Sequence, residues 1–121
     1  MNLLGIKELE ANQIYELISL AQDIREQPNR YKKALEGIFV ANLFFEPSTR
    51  TRFSFEMAEK RLGAEVLNFQ EEISSRKKGE TIYDTLKTLE ALGVHGVVLR
   101  HSQNGILTEL KDKVNLALIN A

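Results

Sequence analysis

GIFVANLFFEPSTRTRFSF, residues 37–55, joins two segments of opposite character. Residues 37–45 are a near-continuous apolar run rich in β-formers, the pattern of a strand buried on both faces of a parallel sheet. Ser48, Thr49, Arg50, Thr51 and Arg52 then alternate hydroxyls with guanidinium groups. Beyond them Phe55, Ala58 and Leu62 recur at helical spacing until Gly63 offers a stop. A strand running directly into a helix puts the helix's first turn, with its unpaired N–H groups and positive dipole end, at the strand's exit. Pro47 sets its own φ near the turn, and Ser48 or Thr49 suits the N-cap.

The residues alone leave two readings open. In one, three hydroxyls and two guanidinium groups form a phosphate cradle without a glycine-rich loop. In the other, Ser48 caps a solvated helix on which Arg52 pairs with Glu56, four residues on, for a few tenths of a kcal/mol. Capping explains one hydroxyl; it does not explain three beside two arginines.

Outward from this junction, strands and helices alternate. Ile14, Leu17, Ile18, Ala21 and Ile24 predict an amphipathic helix over residues 12–27, closed by Pro28. Residues 64–69 (AEVLNF) read as a short strand and residues 70–79 as a polar loop. Ile82, Leu86, Leu89 and Leu92 mark a helix over 81–92 that Gly93 ends. Residues 96–99 (GVVL) form a buried strand, residues 105–111 a short helix and residues 114–119 (VNLALI) a last strand. The order predicts an α/β three-layer sandwich, a single domain over residues 1–121, with a central parallel sheet of about four strands flanked by helices.

Composition narrows the function. A net charge of -1 argues against a surface built for nucleic acid or anionic membrane, so any anion site is local. With no cysteine there is no disulfide framework or thiolate metal site, and His95 and His101 are too few and isolated to suggest zinc. No metal and no cofactor is expected. The N-terminus lacks a secretory pattern and no apolar run approaches the roughly 20 residues of a membrane span, so a cytoplasmic location is expected.

Two further segments carry chemistry. SSRKKGET, residues 74–81, places three cations before a helix: a solvated turn, or a loop that closes over an anionic substrate. Arg100 ends the GVVL strand, where parallel-sheet proteins place ligand-binding residues, although a strand-terminal Arg-His pair can also simply reach solvent.

FFEPSTRTRFSFEMAEKRLGAEV, residues 44–66, closely resembles the carbamoyl-phosphate motif of the aspartate and ornithine carbamoyltransferases. The resemblance implies that Ser48, Thr49, Arg50 and Thr51 contact the phosphate of carbamoyl phosphate, Thr51 also lying near the carbamoyl oxygen, while Arg52 supports the cradle. VVLRHS matches the family's strand-end arginine, which implies that Arg100 contacts both phosphate and carbonyl oxygen, with His101 a loop-ordering residue and His95 a surface position. Lys-Gly-Glu-Thr and Pro47 are similar to the aspartate enzymes rather than the ornithine enzymes. They imply Lys78 as a residue that meets aspartate, and Ser74, with Ser75 as alternative, in a loop entering a neighbouring subunit of a homotrimer.

As the resemblance has it, the amino group of L-aspartate attacks carbamoyl phosphate to give N-carbamoyl-L-aspartate and phosphate, in pyrimidine biosynthesis, with Arg50, Thr51, Arg100 and Lys78 as the catalytic group. Regulatory or other pyrimidine-pathway subunits are further partners that it allows. It covers the family's first domain only: the His-Pro-Thr-Gln motif and the aspartate-binding domain have no counterpart in residues 1–121, so this stretch alone is expected not to turn over. An ornithine enzyme and a non-catalytic oligomerising module are the alternatives.

Overall fold

A computed structural model describes residues 2–70, 81–102 and 105–121. The strand expected before the hydroxyl-arginine stretch is β1 (Phe39–Phe44), and all its residues after Phe39 are buried. The elements run α1 (Ala11–Glu26), α2 (Pro28–Tyr31), β1, α3 (Thr49–Arg61), β2 (Glu65–Gln70), α4 (Ile82–Ala91), β3 (Gly96–Arg100), α5 (Ile106–Leu110) and β4 (Ala117–Asn120). A single 3-10 turn, Ile6–Glu8, precedes α1.

The four strands form one parallel sheet in the order β2-β1-β3-β4. Alternation along β1 divides the core between two faces. Ala41 and Leu43 join Leu86 and Leu89 of α4, Leu107 and Leu110 of α5, and Val97, Leu99 and Leu118 on one face. Val40 and Phe44 meet Val98, Ala64 and the half-buried Phe55 of α3 on the other. Helices on both faces of a parallel sheet make the three-layer α/β sandwich that the sequence predicts.

Local chemistry accounts for the helix ends. Thr81 accepts a hydrogen bond from the Asp84 N–H at 3.1 Å, and the Asp84 carboxylate answers to the Thr81 N–H at 3.4 Å, a reciprocal cap on α4. Gly63 ends α3 at φ +89°, and a Cβ there would lie 2.6 Å from the Lys32 carbonyl oxygen. Only glycine fits that turn without strain. At the far sheet edge the Leu3 N–H donates to the Leu118 carbonyl (2.8 Å) and the Asn120 N–H to the Leu3 carbonyl (2.8 Å), which ties the N-terminal segment beside β4.

Helix α1 forms where the periodicity predicts it, yet no residue of it is buried. Leu17 and Ile18 of its apolar stripe are 41% and 51% exposed. Spacing dictates the stripe, whereas covering it requires another surface. Among the described residues no helix is long and apolar enough to cross a membrane.

Candidate functional site: the carboxyl ends of β1 and β3

β1 and β3 are neighbours, but the chain leaves them in opposite directions. From β1 it passes through α3 to β2 on one side; from β3 it passes through α5 to β4 on the other. Such a switch point opens a crevice at the strands' carboxyl ends, where open parallel sheets bind ligands. Phe44 and Arg100 are register partners at that end. Just beyond, the Phe45 N–H donates to the Arg100 carbonyl at 2.9 Å, so the β1–α3 connection starts against Arg100.

Ser48 stands at the N-cap of α3 as expected, and its carbonyl accepts the first helical hydrogen bond from the Arg52 N–H (2.9 Å). Its hydroxyl, however, makes no capping bond. The N–H groups of Thr49, Arg50 and Thr51 occupy the part of the first turn that helical geometry leaves without an acceptor. No acidic residue lies in that turn. Arg50 is exposed, and its guanidinium forms no ion pair with any described residue. Arg52 lies over the Phe53 ring, 5.1 Å from its centroid, and does not pair with Glu56. Glu56 bonds instead to Asn68 and, at 3.4 Å, to Lys60. The turn thus presents N–H donors, hydroxyls and a guanidinium for which no partner is seen among the described residues, at the positive end of a helix.

Arg100 is engaged. Its Nε donates to Glu46 Oε1 at 2.8 Å, both side chains about one-third exposed. Glu46, Arg100 and His101 line a cleft of about 220 Å³ together with Gly105, Ile106 and Asn120. His101 packs edge-on against Phe45, with ring centroids 5.5 Å apart. The structure therefore brings Arg100 to the β1 exit but puts Glu46 beside it, and residues 48–51 do not line this cleft. Glu46 was missed in the sequence: it sits inside FFEPST, but its partner is 54 residues away. His95 is exposed, as expected, though anchored: its Nδ1 accepts from the Phe39 N–H at 3.0 Å. Ser74, Ser75 and Lys78 lie outside the described residues.

Fold and site together define a doubly wound α/β domain with a helix N-terminus, clear of acidic residues in its first turn, at its switch point. The chain belongs to the aspartate/ornithine carbamoyltransferase family, whose carbamoyl-phosphate-binding domain model matches residues 1–121. Its structure is similar to the catalytic subunit of M. jannaschii aspartate transcarbamoylase, at 37% identity and a TM-score of 0.89 over 99% of this chain and 40% of that one. The Trypanosoma cruzi aspartate transcarbamoylase, solved with carbamoyl phosphate, is 34% identical, with a TM-score of 0.87, covering 99% of this chain and 38% of the relative. Ornithine transcarbamoylase of Giardia lamblia is 26% identical at a TM-score of 0.82, covering 99% and 36%. The chain spans about two-fifths of the length of these relatives.

Proposed function

We propose that this chain binds carbamoyl phosphate at the N-terminus of α3 and forms part of an enzyme that transfers the carbamoyl group to L-aspartate. The observation that carries the reading is the first turn of α3, with no side-chain cap and no acidic residue, following β1 at the switch point, where Arg100 ends the neighbouring strand. Ser48, Thr49, Arg50 and Thr51 hold the phosphate through hydroxyls, backbone N–H groups and one guanidinium. The amine of aspartate attacks the carbonyl carbon; a C–N bond forms, the C–O bond to phosphate breaks, and the departing phosphate takes the proton that the nitrogen sheds. Thr51 and Arg100 stabilise the oxyanion that develops, and Arg50 with the helix end takes the charge of the departing phosphate. None of these steps requires a covalent enzyme intermediate.

Aspartate as acceptor rests on Pro47 and on the Lys78-Gly79-Glu80-Thr81 segment, with Lys78 bridging the two substrates and Ser74 or Ser75 beside it. The Trypanosoma cruzi relative has been solved with carbamoyl phosphate and aspartate together, which supports this choice. We extend the proposal to a cytoplasmic homotrimer in which the loop SSRKKGET, residues 74–81, enters the active site of a neighbouring subunit. Phe39, Leu67 and Phe69, exposed on one face of the β1–β2 edge, offer such a contact an apolar surface. A carbamoylation assay of the whole reading frame with aspartate and with ornithine tests the acceptor; product from ornithine alone would reverse it.

A further inference from the structure

Helix α3 is seated on the sheet in an unusual way. Of its 13 residues only one is buried, and that one is a carboxylic acid, Glu59, at 6% exposure. Its partner is Asn42 of β1, which is fully buried and donates from Nδ2 to Glu59 Oε1 at 2.8 Å. Asn42 Nδ2 also donates to Oδ1 of Asn68, its register partner on β2, at 3.2 Å. Asn68 Nδ2 donates in turn to Glu56, one turn before Glu59 on the helix. Two carboxyl groups of α3 thus grip two side-by-side asparagines of the sheet.

Two buried atoms of this network have no partner: Asn42 Oδ1 and Glu59 Oε2. Both are acceptors if Glu59 is ionised, and an unpartnered buried acceptor is costly. A proton on Oε2 makes it a donor, and a carboxylic acid and a primary amide can then exchange two hydrogen bonds. The second N–H of Asn42 remains for Asn68. Burial independently pushes the Glu59 carboxyl above its ordinary range; the hydrogen bond from Asn42 opposes this and the charge of Glu56 adds to it.

We propose that Glu59 is protonated in the folded chain and that the neutral Glu59–Asn42 pair is a positioning device, fixing the register of α3 on the sheet and so the place of its phosphate-binding first turn. Apolar packing by Phe55 is non-directional and tolerates sliding; a paired amide and acid does not. Ser48 lies about 16 Å along the helix from Glu59, so a slip at one end moves the other. The link to ligand rests on the phosphate-binding reading above; the protonation does not.

The test uses the 121-residue chain, Glu59→Gln and Glu59→Leu. Glutamine accepts at one oxygen and donates from its amide, reproducing the neutral pair, whereas leucine fills the space without gripping Asn42. Three NMR readouts apply: the Glu59 side-chain carboxyl shift against pH, the amide shifts of residues 49–51 without ligand, and titration with carbamoyl phosphate. Glu59 should still be titrating above the pH at which exposed glutamates are ionised. The unliganded amides should keep their positions in Glu59→Gln and move in Glu59→Leu. Affinity should match wild type in the glutamine variant and fall roughly 10-fold or more in the leucine variant, as expected for a displaced binding group. Glu59 titrating with the exposed glutamates, or a folded leucine variant with unshifted amides and unchanged affinity, overturns the proposal. Absence of carbamoyl-phosphate binding by wild type would instead overturn the functional reading, leaving the first two readouts to decide this one. If Glu59→Leu fails to fold, Glu59→Asp, which keeps the acid but shortens its reach, takes its place under the same criteria.

Discussion

Replacing Arg50 by alanine separates binding from folding. The Arg50 side chain is exposed and pairs with no described carboxylate; the Ser54 hydroxyl bonds only to its carbonyl, which alanine keeps. Surface substitutions of that kind leave stability within about 0.5 kcal/mol. A charge-assisted hydrogen bond to phosphate is worth about 1.5–3 kcal/mol, and each 1.4 kcal/mol is tenfold in affinity. Arg50→Ala should therefore weaken carbamoyl-phosphate binding by roughly 10- to 100-fold while its thermal midpoint stays within a few degrees of wild type. NMR titration, which reads millimolar affinities, measures the first, and circular dichroism the second. Affinity within twofold of wild type would refute the assignment of Arg50 to the phosphate.

Three predictions concern what holds the site in place. Leu43→Ala, at a fully buried position of β1, should cost about 2–5 kcal/mol, read as a lowered urea midpoint; a loss under 1 kcal/mol would mean the core is not where the structure has it. Gly63→Ala forces a Cβ into a left-handed turn and against the Lys32 carbonyl, so it should destabilise by at least about 1 kcal/mol in the same assay, and a neutral result would contradict the tight stop to α3. Glu90 is held below the usual carboxylate range by the hydrogen bond from Lys87 and then by the Asn115 N–H. Its contribution is complete above its unfolded pKa of about 4.3 and is lost as pH falls through the lower folded value. Glu90→Gln should flatten the loss of stability on acidification in that window, and an unchanged acid limb would show the contact to be inert.

The alternation of strand and helix was legible because β1 and the faces of α4 carry the periods of a buried strand and an amphipathic helix. The first turn of α3 was legible because Ser48, Thr49, Arg50 and Thr51 are consecutive: groups gathered within one helical turn show themselves in one short stretch. Sites assembled across the sheet do not. Glu46 looks like part of a motif until Arg100 is seen beside it. Glu59, flanked by Ala58 and Lys60 in a charged segment, reads as a solvated helix position. Only the sheet, which brings Asn42 up beneath it, turns it into a buried acid. The exposed stripe of α1 shows the converse, since spacing predicts an apolar face but carries no information on what covers it.

Amide chemical-shift mapping of the chain with carbamoyl phosphate shows directly whether the phosphate sits on the first turn of α3. The N–H groups of Thr49, Arg50 and Thr51 should shift most and saturate together, with Arg100 following. Shifts centred on Gly105, Ile106 and Asn120, with residues 49–51 unmoved, would place the ligand in the Glu46–Arg100 cleft and contradict it.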